Sequence, residues 1–197
     1  MSLAHTRPAL ILIDVQQGFA HEDFFGGHRN NPDAEQRCGQ LLAAWRQLRL
    51  PVFHIRHSSQ NPLSPLHASH AGFRFHPAVQ PQGDEPVITK TVNSAFIGTD
   101  LKERLDQAGI RTVVIAGITT NHCVSTTTRM AGNYGFAVYC VHDACACFDR
   151  AGALGEQFSA DTIHRTALAN LHGEFAQVID TEEVLQQVLP AAAPLAD

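Results

Sequence analysis

The chain has 197 residues, 44% of them hydrophobic and 17% charged, with a formal net charge of −5. That composition suits a folded globular chain and excludes extended disorder, and its scattered Lys and Arg form no basic stripe, so nucleic acid is not an expected partner. No apolar run reaches the roughly 18 residues that span a bilayer, and Met1 to Pro8 lacks signal-peptide features; no membrane association is expected, and a cytoplasmic chain with five reduced cysteines is.

In chain order, Ala9 to Ile13 is an uninterrupted apolar run, which suits a parallel strand buried on both faces. Leu41, Leu42, Trp45 and Leu48 recur at helical spacing over Asp33 to Leu48. Pro51 to Ile55 reads as a strand, residues 57–86 as a long loop rich in His, Pro, Ser and Gly, and Val87 to Thr89 as a short strand. Thr99 or Asp100 caps a helix carrying Leu101 and Leu105 that ends at Gly109. Thr112 to Ala116 is the strongest strand, followed by a helix from about Asn121 to Asn133 and a strand over Phe136 to Val141. A helix over Ser159 to Leu171 and a strand over Phe175 to Ile179 follow; Asp180 with Glu183 makes a capping box for a last helix through Leu189.

Strands alternating with helices imply a three-layer α/β/α fold around a mostly parallel, Rossmann-like sheet. We expect one domain over residues 1–197, with its core at about 8–188 and a loose Ala/Pro-rich tail at 190–197. Ligands in such folds sit beyond the carboxyl ends of the strands. Asp14 ends the first strand, Lys90 ends the strand at 87–89, and Cys123 follows the strongest strand by a short turn, so all three lie at one sheet edge. A carboxylate directly after five apolar residues needs a partner or a cleft. A thiol needs help to become a thiolate, which a helix start and an ammonium both supply, and Asp14 can carry the proton. Taken singly, each has an ordinary structural reading: a cap, a snorkelling side chain and a small buried hydrophobe. Their coincidence at one edge is what points to chemistry.

The segments Leu12-Ile13-Asp14-Val15-Gln16, Thr89 to Phe96 and Gly117 to Val124 resemble, in order, motifs of the isochorismatase-like cysteine hydrolase superfamily, which includes nicotinamidases and N-carbamoylsarcosine amidohydrolases. The resemblance implies Asp14 as proton carrier, Lys90 as its ammonium partner and Cys123 as nucleophile. It also implies a cis Ile118–Thr119 bond, with the Thr119 and Cys123 N–H groups facing one oxyanion, and a homodimer or homotetramer. Nicotinamidases of this family carry an Asp-x-His metal pair after the second strand. Here Arg56 stands about where that carboxylate is wanted, so no metal is expected, and nicotinamide is a less suitable substrate.

Arg56 and His57 follow a strand end and are candidates to line the pocket, Arg56 either binding a substrate carboxylate or pairing with a neighbouring acid. Phe96 is read as a pocket wall and Phe19 as a wall or a sheet-edge packing residue, with Thr120 a further substrate contact and Phe73 and Phe75 able to close over the site. His67, His70 and His76 raise a zinc site without supporting ligands. Cys145 and Cys147 read as buried thiols rather than a redox or metal pair, Cys140 as core, and Cys38 has no stated role.

The expected activity is cleavage of a small-molecule amide, carbamoyl or ureido C–N bond through a thioester on Cys123, with no cofactor. Two alternatives stay open. One is hydrolysis of an isochorismate-type vinyl ether, using Asp14 without the thiol. The other is a non-catalytic binding or redox-sensing protein on the same scaffold. No Gly-x-Gly-x-x-Gly follows the first strand, where Asp14-Val15-Gln16-Gln17-Gly18 stands, which disfavours a dinucleotide enzyme.

Overall fold

The computed structural model describes Leu3 and residues 6–189; the expected loose tail lies outside the described residues. Six strands form one sheet: β1 (Ala9–Ile13), β2 (Val52–His57), β3 (Val87–Lys90), β4 (Thr112–Ile118), β5 (Ala137–Ala146) and, after a small antiparallel ribbon of β6 (Arg150–Ala151) and β7 (Gln157–Phe158), β8 (Gln177–Ile179). The order is β3-β2-β1-β4-β5-β8 and every pairing within this sheet is parallel. Chain direction across the sheet reverses between β1 and β4, which makes their carboxyl ends the topological switch point where ligands bind.

The central strands are apolar because helices cover both sides. All five residues of β1 and all seven of β4 are buried. Alternation divides their side chains between two cores. Leu10, Leu12, Val114 and Ala116 face α2 (Ala34–Gln47) and α6 (Thr181–Val188). Ile11, Ile13, Val113 and Ile115 face the layer of α3 (Leu101–Gln107), α4 (Ser125–Asn133) and α5 (Ala160–Leu171). Each large buried aliphatic side chain contributes about 1.5–3 kcal/mol. Trp45 is fully buried, and its indole Nε1–H donates to Pro8 O at 2.9 Å, fixing where β1 begins.

Local signals hold where they are strong. Ser159 caps α5 by accepting from Thr162 N, and Asp180 and Glu183 form the reciprocal capping box of α6. The reading differs from the structure where polar residues interrupt a strand. β5 runs on past Val141 to Ala146, because Asp143 is satisfied by Thr181 N and Oγ1 at 2.8 Å each and the chain can stay extended. The last strand is shorter than read, since Phe175 and Ala176 bond back to Leu171 O. Residues 57–86 are a loop with short 3₁₀ turns, closed at its far end where Glu85 holds both Arg46 (2.7 Å) and the buried His54 (2.9 Å). Among the described residues, no helix is long and apolar enough to cross a membrane.

Candidate active site

Asp14 leaves β1 with its backbone in the left-handed region, φ 53°, a conformation that Asp tolerates better than most side chains. Its N–H still donates to Ile55 O at 2.9 Å, so it is held at the strand end. Lys90 sits on β3 with the parity of Ile88, on the α3/α4/α5 face, and His57, paired with Lys90 across β2 and β3, shares that face with Ile55. The Lys90 stem crosses the end of β2 to place Nζ 2.6 Å from Asp14 Oδ2 and 3.4 Å from His57 Nδ1. Asp14 and Lys90 are both almost wholly withdrawn from water. The second carboxylate oxygen, Asp14 Oδ1, is buried and has no hydrogen-bond partner.

Cys123 lies in a single π-helical turn, Thr120–Val124, between β4 and α4. Such wide turns are frequent at functional sites. Its Sγ is within 4.8 Å of donor atoms of Asp14 and His57, and 3.9 Å from Asn93 Oδ1. The turn is brought close by Gly117. At φ 134° a side chain there would place Cβ 2.0 Å from Ile13 O, so only glycine lets β4 press against the residue before Asp14. The following Ile118–Thr119 peptide is cis.

Burial, and next the Asp14 carboxylate, push the Cys123 thiol well above its ordinary value, while Lys90 pulls it down. The help toward a thiolate expected from the helix start and Lys90 is thus opposed by burial and by the carboxylate expected to take the proton. Burial, and then Lys90, lower His57, which is neutral beside the ammonium.

A model of the isochorismatase domain matches residues 8–183. The chain belongs to the isochorismatase family. It is 44% identical to the isochorismatase family protein YrdC of Bacillus subtilis, over 93% of this chain and 97% of that one. It superposes on an isochorismatase-family protein of Chromobacterium violaceum with a TM-score of 0.90 and 42% identity, covering 95% of this chain and 96% of that one. A streptothricin hydrolase of Streptomyces noursei is 30% identical over 94% of this chain and 67% of its own; a nicotinamidase and a maleamate amidohydrolase are further relatives. The chain is a hydrolase of this family, and its named relatives include amidohydrolases.

Asp14, His57 and Cys123 are also the described residues whose donor atoms cluster as metal ligands would. In this hydrolase the Lys90 ammonium already lies against two of them, so a divalent ion there would meet a buried like charge. Arg56 plays no part in that balance, contrary to the sequence argument. Adjacent strand residues point to opposite faces, and with His57 on the site face Arg56 turns away. Its guanidinium stacks 4.5 Å over the Phe73 ring and donates to Thr89 Oγ1 at 2.9 Å, clamping the long loop.

Other expected contacts are also engaged elsewhere. Phe96 belongs to the core beside α3, 5.3 Å from the Tyr134 ring and 6.4 Å from Phe136, rather than to a pocket wall. The Thr120 hydroxyl is buried and hydrogen-bonded to His164 Nδ1 at 2.8 Å. Phe19 is buried among Phe25 and Phe148, next to Ile118. Phe75 packs on His54. His67, His70 and His76 bond to Ser69, Pro62 O and Ala78 N. Cys38, Cys140, Cys145 and Cys147 are buried free thiols, with Cys147 Sγ directed to Ala160 O and Cys38 Sγ to Ala144 O.

The sequence reading missed Gln16. Its buried amide accepts from His57 N at 2.8 Å and donates to His57 O (3.2 Å) and Phe73 O (2.9 Å), tying the ends of β1 and β2 to the long loop. The signal was present: an amide three residues beyond a buried strand needs partners for both ends. Asn93, near Cys123, was likewise inside a quoted motif but given no role.

Proposed function

We propose that the chain is a cysteine-dependent amidohydrolase in which Asp14, Lys90 and Cys123 cleave a small amide, carbamoyl or ureido bond through a thioester. The observation that carries this reading is the pair of fates within one carboxyl group. Oδ2 is neutralised by Lys90, Oδ1 is buried and unpartnered, and the carboxylate has an oxygen within 4.8 Å of Cys123 Sγ. An acceptor left free in a dry site is poised to take a proton.

As the substrate carbonyl reaches Sγ, the thiol proton passes to Asp14 and the S–C bond forms. The oxyanion is held by N–H groups of the turn, those of Thr119 and Cys123. Asp14 then returns the proton to the departing nitrogen, the C–N bond breaks, and the amine leaves a thioester. Water attacks next, giving its proton to Asp14, and the acid departs as the thiol is re-formed. Lys90 keeps the Asp14 charge tolerable through both half-reactions. A small-molecule substrate, a homo-oligomeric assembly and a cytoplasmic location remain part of this reading.

The test is turnover of a panel of small amides, carbamoyl compounds and ureas by the wild type and Cys123→Ala, with acid-quenched samples examined for an acyl adduct on Cys123. We expect turnover and adduct in the wild type and neither in the variant. Full turnover by Cys123→Ala would overturn the thioester reading.

A further inference from the structure

Beside the turn that carries Cys123 is a cavity of about 150 Å³, walled by Phe24, Phe25, Phe148, Thr119, His122 and Arg150. Neither this cavity nor a wider groove between residues 20–24 and 63–72 is lined by Asp14, Lys90 or Cys123, but the cavity is walled by Thr119, Asn121 and His122 of the turn that leads into Cys123.

The cavity is built rather than incidental. Its aromatic walls rest on Phe19, with Phe19–Phe25 and Phe25–Phe148 ring centroids 4.7 and 5.3 Å apart. The two wall segments are laced by backbone bonds: Asp149 N donates to His28 O at 2.9 Å and Asn30 N to Cys147 O at 3.2 Å. Gly26, at φ 131°, presses so close that a Cβ would lie 2.0 Å from Asp149 O. Chemically, the lining is aromatic on one side and polar on the other, where Thr119, Asn121 and His122 stand with one charge, Arg150. Among the described residues Arg150 has no acidic partner, unlike Arg29, Arg46 and Arg104, which are held by carboxylates. Its neighbour Asp149 accepts from Ala160 N at 2.7 Å. Burial, and then Arg150, keep His122 neutral. An aromatic slot ending in an unpaired guanidinium matches a planar group that ends in a carboxylate, which the fork of Arg binds with two bonds.

We infer that this cavity is a subsite for the carboxylate-bearing part of the substrate, so that the hydrolase acts on amides of small apolar or aromatic acids that carry a free carboxylate. This rests on the proposed amidohydrolase reading for the reaction, but the binding it asserts does not need the thiol. The test is therefore made on Cys123→Ala, by calorimetric titration with benzoate and with benzyl alcohol as probes, together with the ring resonances of His122. Benzoate should bind at least about tenfold more tightly than benzyl alcohol and raise the His122 pKa. Arg150→Gln in the same background should reduce the preference to less than about twofold, and Arg150→Lys should keep part of it. Arg150 is exposed, so these variants should fold, and thermal melts verify it. Equal binding of the two probes, or a preference that survives Arg150→Gln, would overturn the subsite while leaving the Cys123 chemistry untouched.

Discussion

Lys90 and Asp14 meet 2.6 Å apart although their strands are separated by β2, and neither side chain is reached by water. Removing one partner leaves the other as an uncompensated buried charge. Lys90→Met should therefore cost about 3–5 kcal/mol of stability, and adding Asp14→Asn should recover much of it. Urea denaturation at neutral pH of the two single variants and the double variant measures this. A double variant no more stable than Lys90→Met would show that the pair is not coupled as described.

Charge around Cys123 sets how it alkylates. The Asp14 carboxylate holds the thiol up and Lys90 opposes it. Asp14→Asn should therefore speed iodoacetamide labelling of Cys123 near neutral pH by about tenfold, a shift of about one pKa unit, while abolishing turnover. Lys90→Ala should slow labelling. Peptide mass mapping separates Cys123 from the four buried thiols.

The pH dependence of stability follows from groups that titrate on the acid side of neutrality. His164 is lowered to about 4, first by burial and then by His142, so between that value and its ordinary 6.5 the unfolded chain binds a proton that the folded chain refuses. Stability is full above about pH 7 and falls as pH drops toward 4, by roughly 3 kcal/mol from this residue. His54 and His122 act in the same direction. Glu85 is lowered to about 2: burial would raise it, but its bonds to Arg46, Gln82 N and His54 outweigh that. Its contribution is lost only further into acid. The denaturation midpoint should fall steadily from pH 7 to 4, and His164→Gln should flatten that slope.

Arg56 is a loop clamp in this structure. Arg56→Ala should cost about 0.5–1 kcal/mol and raise the proteolysis rate within residues 57–86, with Cys123 labelling within about twofold of wild type. A collapse of substrate affinity with the loop still protected would return Arg56 to the pocket.

Gly117→Ala places a methyl group on the Ile13 carbonyl. The sheet must part at the switch point, so the variant should lose more than about 4 kcal/mol or fail to accumulate as folded protein. Gly109→Ala, where a Cβ meets open space though φ is also positive, should cost no more than about 1–2 kcal/mol. Expression level and urea midpoint distinguish the two.

The order of strands and helices was legible because β1 and β4 are buried on both faces and advertise it as unbroken apolar runs, and because Ser159 and Asp180 carry capping chemistry. Asp14, Lys90 and Cys123 were legible as polar residues stranded at the ends of such runs. What could not be read was orientation at single-residue resolution. Arg56 and His57 both looked available, yet alternation allows only one to face the site, and which one depends on how β2 registers with β1 and β3. Phe96 failed for a similar reason, since the wall it joins is made by Tyr134 and Phe136 from a distant segment. The Phe148 and Arg150 side of the cavity was invisible because it depends on backbone bonds between residues 28–30 and 147–149.

Gln16 gives the site a further property. One amide side chain bonds both backbone atoms of His57 and the Phe73 carbonyl in the loop. The loop, the β2 terminus and the segment following Asp14 thus share a single fastening. Any opening of the loop large enough to break the bond to Phe73 also loosens the seat of His57, and with it the neighbour of Lys90. The long loop and the seat of Lys90's neighbour are thus held by one side chain.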